Sequence, residues 1–452
     1  IAAAGYEISG TATNTLTLTG PLSTSANAIL SVPVMGDQAG QVTAGTLTLK
    51  TASNGSSLGA ISVTDSTLFV DSGAILDAGA AGDIQLNTGG RLYLWGAGSG
   101  GTVAKDVELA GGSVTADSGN LAKFTGTFKG SGDLNLNVAS NSFGNILTIQ
   151  RATLDNTYTG DTRITNNRVT FTGYNNTNFS PFGTDPAKTL YLRSQSGNWD
   201  PVAGITFNPG ATGQTYTIPQ AFDVSANNGR PITVQLSDSI LRFTGTTAIN
   251  TADEGSTVKF ATQYSGKDIF LDGVVSGSGN VIVSDINGLY GEGALHLTNA
   301  GNTFSGTITI NASSGASGIL APDNDTAAQA ATITLNNGRL RVNAANASIA
   351  GLTGDATGKV LNADATERVL TVSNAAENLF EGSIGDATTN GDKLSLVKSG
   401  SGILTLAGAS TYTGTTTVSA GTLAATNTTG SATGTGNVTV NAGSTLAGSG
   451  II

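Results

Sequence analysis

The sequence contains no cysteine, one histidine and very little charge. Only 11% of its residues are charged, against about a quarter in an average globular protein. Without cysteine, thiol chemistry and disulfides are excluded. A single imidazole excludes a histidine-rich zinc site and leaves His296 as the one residue that a Ser-His-Asp relay would use. We expect His296 to be an exposed or hydrogen-bonded histidine on a strand.

Long apolar runs and basic stripes are also missing. No stretch approaches about 20 uninterrupted apolar residues, so we expect no membrane-spanning segment in this chain. The net charge is −11, and no basic stripe is present to neutralise phosphates, so we expect no nucleic-acid partner. The opening residues IAAAGYEISG lack the basic lead and apolar run of a signal peptide. Since the chain begins at Ile1 rather than Met, we expect a processed product or a fragment.

The sequence is instead rich in glycine and in short alternating segments. Gly accounts for 63 residues, roughly twice the usual share. Apolar residues alternate with Thr, Asn or Ser in segments such as NTLTLTG (14–20), DLNLNV (133–138) and GILTLAG (402–408), which is the period of a half-buried strand. Helical periodicity is almost missing, and the best helix candidate is DNDTAAQAA (323–331). The pattern predicts an all-β protein with many short strands.

Gly-x-Gly followed by apolar-x-apolar occurs five times and forms an internal repeat. The first glycines of the five copies are Gly130, Gly277, Gly291, Gly400 and Gly434. A phosphate-binding loop needs a helix after its glycines, whereas a strand pattern follows all five copies. We therefore interpret these glycines as corners at which neighbouring coils of the backbone crowd together.

A second repeat places an aromatic residue, a hydroxyl residue and a glycine directly before a strand. Its copies are DNTYTGDTRI (155–164), GNTFSGTITI (301–310) and ASTYTGTTTV (409–418), with predicted structural corners at Tyr158 and Gly160, Phe304 and Gly306, and Tyr412 and Gly414. We expect the aromatic rings to cover the interior and the glycines to supply a tight bend. The hydroxyl residues are expected to tie the turn. A sugar-stacking role for the rings is the alternative.

Units of corner and strand cannot bury their apolar side alone and must stack on their neighbours. A β-propeller would give a steady period near about 40–50 residues, but 146 and 108 residues separate the aromatic residues of the three corners. Irregular lengths suit a solenoid, in which extra residues loop outward. We therefore predict an all-β, right-handed parallel β-solenoid (β-helix) with irregular lateral loops.

Composition suggests three regions. We predict N-terminal solenoid rungs in 1–170, an irregular aromatic- and proline-rich elaboration in 171–232, and a solenoid with C-terminal repeats in 233–452. The middle region holds six of the nine prolines together with Tyr174, Phe179, Phe182, Trp199 and Phe207. Such an elaboration is either a lateral loop at which a partner docks or a cap over an open strand edge.

The stretch LSLVKSGSGILTLAGASTYTGTTTVSAGTLAA (394–425) resembles the passenger-associated transport repeat, also called the autotransporter-associated β-strand repeat. The residues that carry the resemblance are Lys398, Gly400, Gly402, Leu404, Leu406, Tyr412, Gly414, Thr417, Val418, Gly421 and Leu423. Residues 434–450 are similar to the strand that usually follows, and 270–315 and 130–170 resemble the repeat more weakly. The resemblance implies a secreted or surface-exposed bacterial passenger folded as a β-helix. The translocator barrel that follows a passenger in that family is expected to be cleaved off, left out or replaced by another surface device.

Carboxylates are the remaining candidates for chemistry. Three pairs lie in turn-like strings, namely Asp323 with Asp325, Asp364 with Glu367, and Asp253 with Glu254. We interpret them as solvated turn residues, so we expect no catalytic, cofactor-binding or metal-binding residue. Calcium on the oxygens of PDNDT (322–326) is the competing interpretation.

The sequence thus favours a non-catalytic structural or adhesive protein, extracellular or on the bacterial cell surface. Its expected partners are further copies of itself, in a homo-oligomer, surface layer or filament, and glycans of host or neighbouring cells. The alternative is a polysaccharide-active β-helix enzyme, a lyase or hydrolase that uses Asp or Glu. Binding of a small ligand or of ice by arrays of Thr is a third hypothesis.

Overall fold

The computed structural model describes the strand-forming parts of the chain. Before residue 61 only the backbone of short strands is described. From there the described residues are 61–64, 67–70, 75–76, 83–95, 102–117, 122–138, 146–150, 155–165, 168–173, 180–194, 203–208, 213–227, 229, 231–237, 239–251, 255–262, 266–285, 293–311, 318–362, 366–386 and 393–452.

The described residues form 46 strands and no helix. The strands up to residue 208 are β1 (Thr15–Leu18), β2 (Leu30–Val32), β3 (Met35–Gly36), β4 (Val42–Thr43), β5 (Thr46–Leu49), β6 (Ile61–Val63), β7 (Thr67–Val70), β8 (Ile75–Leu76), β9 (Ile84–Asn87), β10 (Arg91–Trp95), β11 (Thr102–Val103), β12 (Val107–Ala110), β13 (Ser113–Asp117), β14 (Ala122–Phe124), β15 (Phe128–Gly130), β16 (Leu134–Val138), β17 (Ile146–Gln150), β18 (Thr162–Thr165), β19 (Arg168–Thr172), β20 (Thr189–Arg193) and β21 (Ala203–Asn208).

The strands after residue 208 continue in the same short format. They are β22 (Thr215–Ile218), β23 (Ala221–Ala226), β24 (Pro231–Leu236), β25 (Ile240–Phe243), β26 (Thr247–Thr251), β27 (Thr257–Thr262), β28 (Ile269–Leu271), β29 (Val275–Gly277), β30 (Asn280–Asp285), β31 (Ala294–Leu297), β32 (Thr307–Asn311), β33 (Ile319–Pro322), β34 (Ala328–Asn336), β35 (Arg339–Arg341), β36 (Asn346–Gly354), β37 (Lys359–Asn362), β38 (Arg368–Val372), β39 (Asn378–Phe380), β40 (Ser383–Asp386), β41 (Leu394–Lys398), β42 (Ile403–Leu406), β43 (Thr416–Val418), β44 (Thr422–Ala425), β45 (Val438–Val440) and β46 (Thr445–Gly448). In this described part no helix is long and apolar enough to cross a membrane.

The chain divides into two compact units. The first comprises Ile1–Thr212, Gln220–Asp223 and Arg230–Ile232, and the second comprises Gly213–Pro219, Val224–Gly229 and Thr233–Ile452. The predicted boundaries at 170 and 232 stay a prediction. Within 171–232, the described residues include strands β20 to β24, whereas Tyr174, Phe179 and Trp199 lie outside the described residues.

The first unit is built from three stacks of parallel strands. Their orders are β1-β5-β7-β10-β13-β16-β18-β20, β8-β11-β14-β17-β19-β21 and β2-β6-β9-β12-β15. From β6 to β17, successive strands visit the three stacks in turn, so that β9, β10 and β11 complete one rung, meaning one circuit of the backbone. Strands β18 to β21 alternate between the first two stacks. A short antiparallel pair, β3 with β4, is added to this arrangement. Parallel stacking of successive rungs is the architecture of a β-solenoid, which confirms the predicted fold class; the right hand stays a prediction.

The second unit is also a parallel solenoid. One of its stacks runs β22-β25-β28-β31-β33-β35-β37-β40, and we call it stack D. A second runs β27-β30-β32-β34-β36-β38-β41-β43-β45, beside which β39, β42, β44 and β46 pair in order. Here the best helix candidate of the sequence is wrong. Residues 325–327 form a turn and β34 begins at Ala328. Ala328 pairs with Ile349 of β36, and Ala328 and Ala331 are both buried.

Apolar residues from successive rungs lie directly above one another in the interior. In the first unit one column is Leu92, Val114, Leu136, Ile164 and Leu192. In stack D the column is Leu241, Ile269, Leu295, Leu320, Leu340, Val360 and Ile384. All twelve side chains are at most 2% exposed, and burying each contributes roughly 1.5–3 kcal/mol. The steps within the second column vary from 20 to 28 residues, so rungs differ in length while the interior stays in register.

Candidate functional site: corners and buried polar clusters

The aromatic residues of the three predicted corners lie inside the solenoid. Tyr158 and Tyr412 are 0% exposed and Phe304 is 5% exposed. The Tyr158 hydroxyl pairs with the Thr162 hydroxyl, and Tyr412 Oη lies 2.5 Å from the corresponding Thr416 Oγ1. Burial raises the pKa of both phenols well above their usual range. Rings in these positions present no face on which a sugar can stack.

The residue four positions after each aromatic completes the corner. This residue points inward in all three copies and is Thr162, Ile308 or Thr416. The two tyrosines are matched with threonine, whereas Phe304 is matched with Ile308. An aromatic residue with a hydroxyl is therefore paired with a residue that also has one, because buried polar atoms need a hydrogen-bond partner. The two partners of each pair are four residues apart in the sequence, but only their contact in the structure shows that they form a pair.

The corner glycines are required by a close neighbour rather than by the bend. A Cβ on Gly160 would lie 2.2 Å from the Gly132 carbonyl oxygen. A Cβ on Gly306 would lie 2.0 Å from the Gly279 oxygen, and one on Gly414 would lie 2.3 Å from the Leu394 oxygen. Gly160, Gly306 and Gly414 are not among the glycines with positive φ. A steric requirement is therefore added at these glycines, since the backbone of the preceding rung occupies the space of a side chain; the expected role in a tight bend stays a prediction.

Both glycines of the Gly-x-Gly repeat lie against the backbone of the preceding rung. A Cβ would lie 2.0 Å from the Ile249 oxygen at the first glycine Gly277, and 1.9 Å from the Gly414 oxygen at the second glycine Gly436. The first glycine also has positive φ in the four described copies, at Gly130, Gly277, Gly400 and Gly434, a conformation that side chains disfavour. Gly291 lies outside the described residues.

Buried asparagines connect three successive rungs beside two of the corners. Asn156, two residues before Tyr158, accepts the Phe128 N–H at 3.0 Å and donates to the Pro181 carbonyl at 2.9 Å. Asn302, two residues before Phe304, accepts the Val275 N–H at 2.8 Å and donates to Ala327 O at 2.9 Å. Each amide thus satisfies a donor of the rung before and an acceptor of the rung after. We call this arrangement the asparagine clamp. Sequence analysis missed it, because Asn in a glycine-rich string predicts a turn.

Lys398 is a fully buried cation with no acidic partner in its described contacts. Its Nζ donates to the carbonyl oxygens of Ser399 at 2.7 Å, Gly400 at 3.0 Å and Ala420 at 3.2 Å. Three donors therefore meet three acceptors. Burial lowers the pKa of this amine below its usual value of 10.5. The aliphatic stem is aligned with Val372 and Val418 in the interior of neighbouring rungs.

An aspartate just before a strand makes the same two contacts at three corners. One carboxylate oxygen accepts a backbone N–H from the next rung. The other oxygen pairs with the basic side chain two residues after the residue that donates this N–H. The three sets are Asp106 with Thr127 N and Lys129, Asp133 with Asp161 N and Arg163, and Asp268 with Ala294 N and His296. Since the spacing between aspartate and cation varies with rung length, no fixed sequence motif exposes this arrangement.

The third of these sets places His296 in a buried cluster. The side chain is 7% exposed, and its Nδ1 lies 2.7 Å from Asp323 Oδ2. The ring stacks on Phe270 with centroids 4.2 Å apart, and Arg242 covers the other face of Phe270 at 4.0 Å. Within the described residues, the polar partners of the imidazole are carboxylates and a guanidinium, with no hydroxyl that would act as a nucleophile. His296 is therefore a hydrogen-bonded strand histidine, as expected.

Of the three carboxylate pairs of the sequence, only Asp323 and Asp325 are both described, and these two have different partners. Asp323 faces His296 and Asn343, whereas Asp325 accepts the backbone N–H of Asn346 at 2.9 Å. Asp364, Asp253 and Glu254 lie outside the described residues, and Glu367 is exposed. In the described part of the chain no group of three His, Cys, Asp or Glu side chains is arranged to hold a metal ion. Calcium at 322–326 stays a prediction.

Comparison with known families identifies two repeats in the second unit. The passenger-associated-transport-repeat model matches residues 290–312 and 396–425. No curated protein and no solved structure matches the chain. The first matched segment contains the Phe304 corner with its asparagine clamp, and the second contains Lys398 and the Tyr412 corner. The chain therefore contains passenger-associated transport repeats and is similar in this respect to the passengers of autotransporters.

Proposed function

We propose that this chain is a non-catalytic structural and adhesive protein, exposed on a bacterial surface or secreted. The observation that carries the proposal is the occurrence of passenger-associated transport repeats within a parallel β-solenoid. The buried polar residues support it, because Lys398, His296 and the asparagine clamps serve contacts between rungs. Antibody labelling of intact cells, with and without surface proteolysis, tests the location. Signal that appears only after the cells are permeabilised would contradict it.

Further copies of the same chain are the partner that the low charge favours. Only 11% of the residues are charged, and outward strand positions are often uncharged and polar, as in β32, where Thr307, Thr309 and Asn311 face outward. Two copies can therefore approach side by side without strong charge repulsion.

Sedimentation at increasing protein concentration tests self-association. We expect oligomers of the wild type, in a proportion that rises with concentration. Wild-type protein that stays monomeric at high concentration would overturn self-association.

A polysaccharide-active enzyme remains the second candidate function. It requires acidic residues that converge beside an exposed aromatic groove, whereas Asp268 and Asp323, which meet at His296, flank a side chain that is only 7% exposed. Incubation with a panel of acidic and neutral glycans distinguishes the two functions. We expect retention of intact glycan by the protein, and any shortening of the chains would favour the enzyme.

A further inference from the structure

His296 is the single histidine of the chain, and it lies where four successive rungs of the second unit meet. It is part of β31 in stack D, with Asp268 before β28 in the preceding rung. Asp323 follows β33 in the next rung, and Arg341 lies in β35, one rung further on. The state of one imidazole thus bears on contacts between all four rungs.

The contact of Nδ1 is the constant part of the cluster. Nδ1 lies 2.7 Å from Asp323 Oδ2, and the other oxygen of Asp323 accepts Asn343 Nδ2 at 2.6 Å. A carboxylate can only accept, so Nδ1 carries a proton and donates it. This bond forms whether the ring is neutral or charged.

The contact of Nε2 depends on the second proton. Asp268 Oδ2 lies 3.6 Å from Nε2, and Arg341 Nη2 lies 3.4 Å from it. A guanidinium only donates, so Arg341 can bond Nε2 only when that nitrogen is unprotonated. A protonated Nε2 instead donates towards Asp268 and faces a like charge on Arg341. The two contacts exclude each other.

We propose that His296 is a proton-operated switch, whose Nε2 engages Asp268 in the acidic state and Arg341 in the alkaline state.

The surrounding charges favour tight packing in the acidic state. Asp268 and Asp323 are then balanced by His296 and Arg341, whereas loss of the proton leaves one carboxylate more than the nearby cations. An uncompensated charge in a buried site is strongly unfavourable. Across Phe270, Arg242 and Asp272 form a bidentate pair and cancel. The remaining cations on this face are Arg339 and Lys359, which pair in register on β35 and β37.

The titration of His296 follows from the same contacts. Burial on its own lowers the pKa of His296, but the hydrogen bonds and charges of Asp268 and Asp323 outweigh burial and raise it above the usual 6.5. Because the folded-state pKa is the higher one, the stabilisation is complete below about pH 6.5 and is lost as the pH rises through the folded pKa. Stack D should therefore loosen on the alkaline side.

Proton NMR of the full chain tests the switch directly, because a single histidine gives one set of imidazole signals, from its Cε1 and Cδ2 protons. We expect Asp268→Asn to lower the His296 midpoint and Arg341→Met to raise it. Asp106→Asn is the matched control: it changes an aspartate with the same backbone contact but a lysine partner, so the midpoint should not move. If His296 served only its hydrogen bond to Asp323, neither Asp268→Asn nor Arg341→Met would move the midpoint. This result would overturn the proposal.

Hydrogen exchange provides a second measurement that does not depend on a variant that folds. Wild-type amides of β28, β31 and β33 should exchange several-fold faster relative to their intrinsic rates above the His296 midpoint than below it. Amides of β43 and β44 in the same sample serve as the internal reference. Equal protection of stack D on both sides of the midpoint would contradict the switch.

Discussion

At the scale of single residues, glycine and buried hydroxyl groups decide which side chains a corner accepts. The aromatic corners could be located from the sequence because an aromatic residue, a hydroxyl and a glycine recur before a strand. The reason for the glycine could not be derived in that way. The atom that excludes a side chain at Gly306 belongs to Gly279, and the register that brings the two together depends on how the intervening residues loop out.

Gly306→Ala tests this steric requirement. A methyl group there would meet both the Gly279 oxygen and the Phe304 ring, at 2.0 and 2.6 Å. We expect the free energy of unfolding to fall by about 1–3 kcal/mol, the usual effect of overpacking. Gly301→Ala is the control in the same corner, where the nearest atom is the Asn299 side-chain oxygen at 3.2 Å. Chemical denaturation should show a change of less than about 0.5 kcal/mol for the control.

The Tyr158 and Thr162 hydroxyls should be energetically coupled. Tyr158→Phe and Thr162→Val each leave one buried hydroxyl without its partner, which costs about 1–2 kcal/mol. The double variant removes both groups and reproduces the Phe304 and Ile308 pairing, so we expect a coupling of about 0.5–1.5 kcal/mol. Tyr191→Phe, on a ring that is partly exposed, is the control. Additive effects in the double-mutant cycle would exclude the coupling.

Lys398→Met should destabilise the second unit although it removes a buried charge. The substitution leaves three carbonyl oxygens without their donor, at about 1–3 kcal/mol. Lys393→Met, at an exposed position, is the control.

The stability of the wild type should also depend on pH through Lys398. Because the folded-state pKa of Lys398 is below 10.5, the unfolded chain keeps this proton to a higher pH than the folded chain, and the wild type gains stability as the pH rises from the folded pKa towards 10.5. The difference from Lys398→Met should therefore be larger at pH 10 than at pH 7. Equal stability of the two proteins at pH 7 would contradict a stabilising role of the three hydrogen bonds of Lys398.

At the scale of strands and corners, alternation alone predicted most of the architecture. DLNLNV and GILTLAG became β16 and β42 with their leucines inside, since a period of two allows one buried face. DNDTAAQAA was wrongly assigned because intrinsic helix propensity is a weak preference that tertiary contacts override, here the pairing of β34 with β32 and β36. The asparagine clamp was out of reach, because its partners lie one rung away on either side.

Asn302→Ala tests the asparagine clamp. The substitution leaves the Val275 N–H and the Ala327 carbonyl in the interior without a hydrogen-bond partner. We expect the free energy of unfolding to fall by about 2–4 kcal/mol for the two groups together. Asn299→Ala is the matched control, because Asn299 makes similar contacts from a partly exposed position where water can replace it. Thermal unfolding should show the larger shift for Asn302→Ala. Similar shifts for the two variants would contradict a special role of the buried amide.

At the scale of the molecule, each rung of a solenoid contacts mainly the rungs beside it, and a few long side chains such as Arg341 reach one rung further. Stability is therefore a sum of local terms, and damage should stay local. In Gly306→Ala we expect faster hydrogen exchange in β30, β32 and β34, which pair in sequence. The strands β44 and β46 are expected to keep wild-type exchange. Uniform acceleration across the second unit would show that the rungs unfold as one block.

The interior columns have a consequence for how such a chain changes over generations. Each column repeats one kind of side chain at steps that already vary between 20 and 28 residues in stack D. Copying or deleting a segment of one full circuit would place an equivalent leucine or isoleucine back in the vacated position. Recombination can therefore lengthen or shorten the solenoid by whole rungs while the interior columns stay continuous.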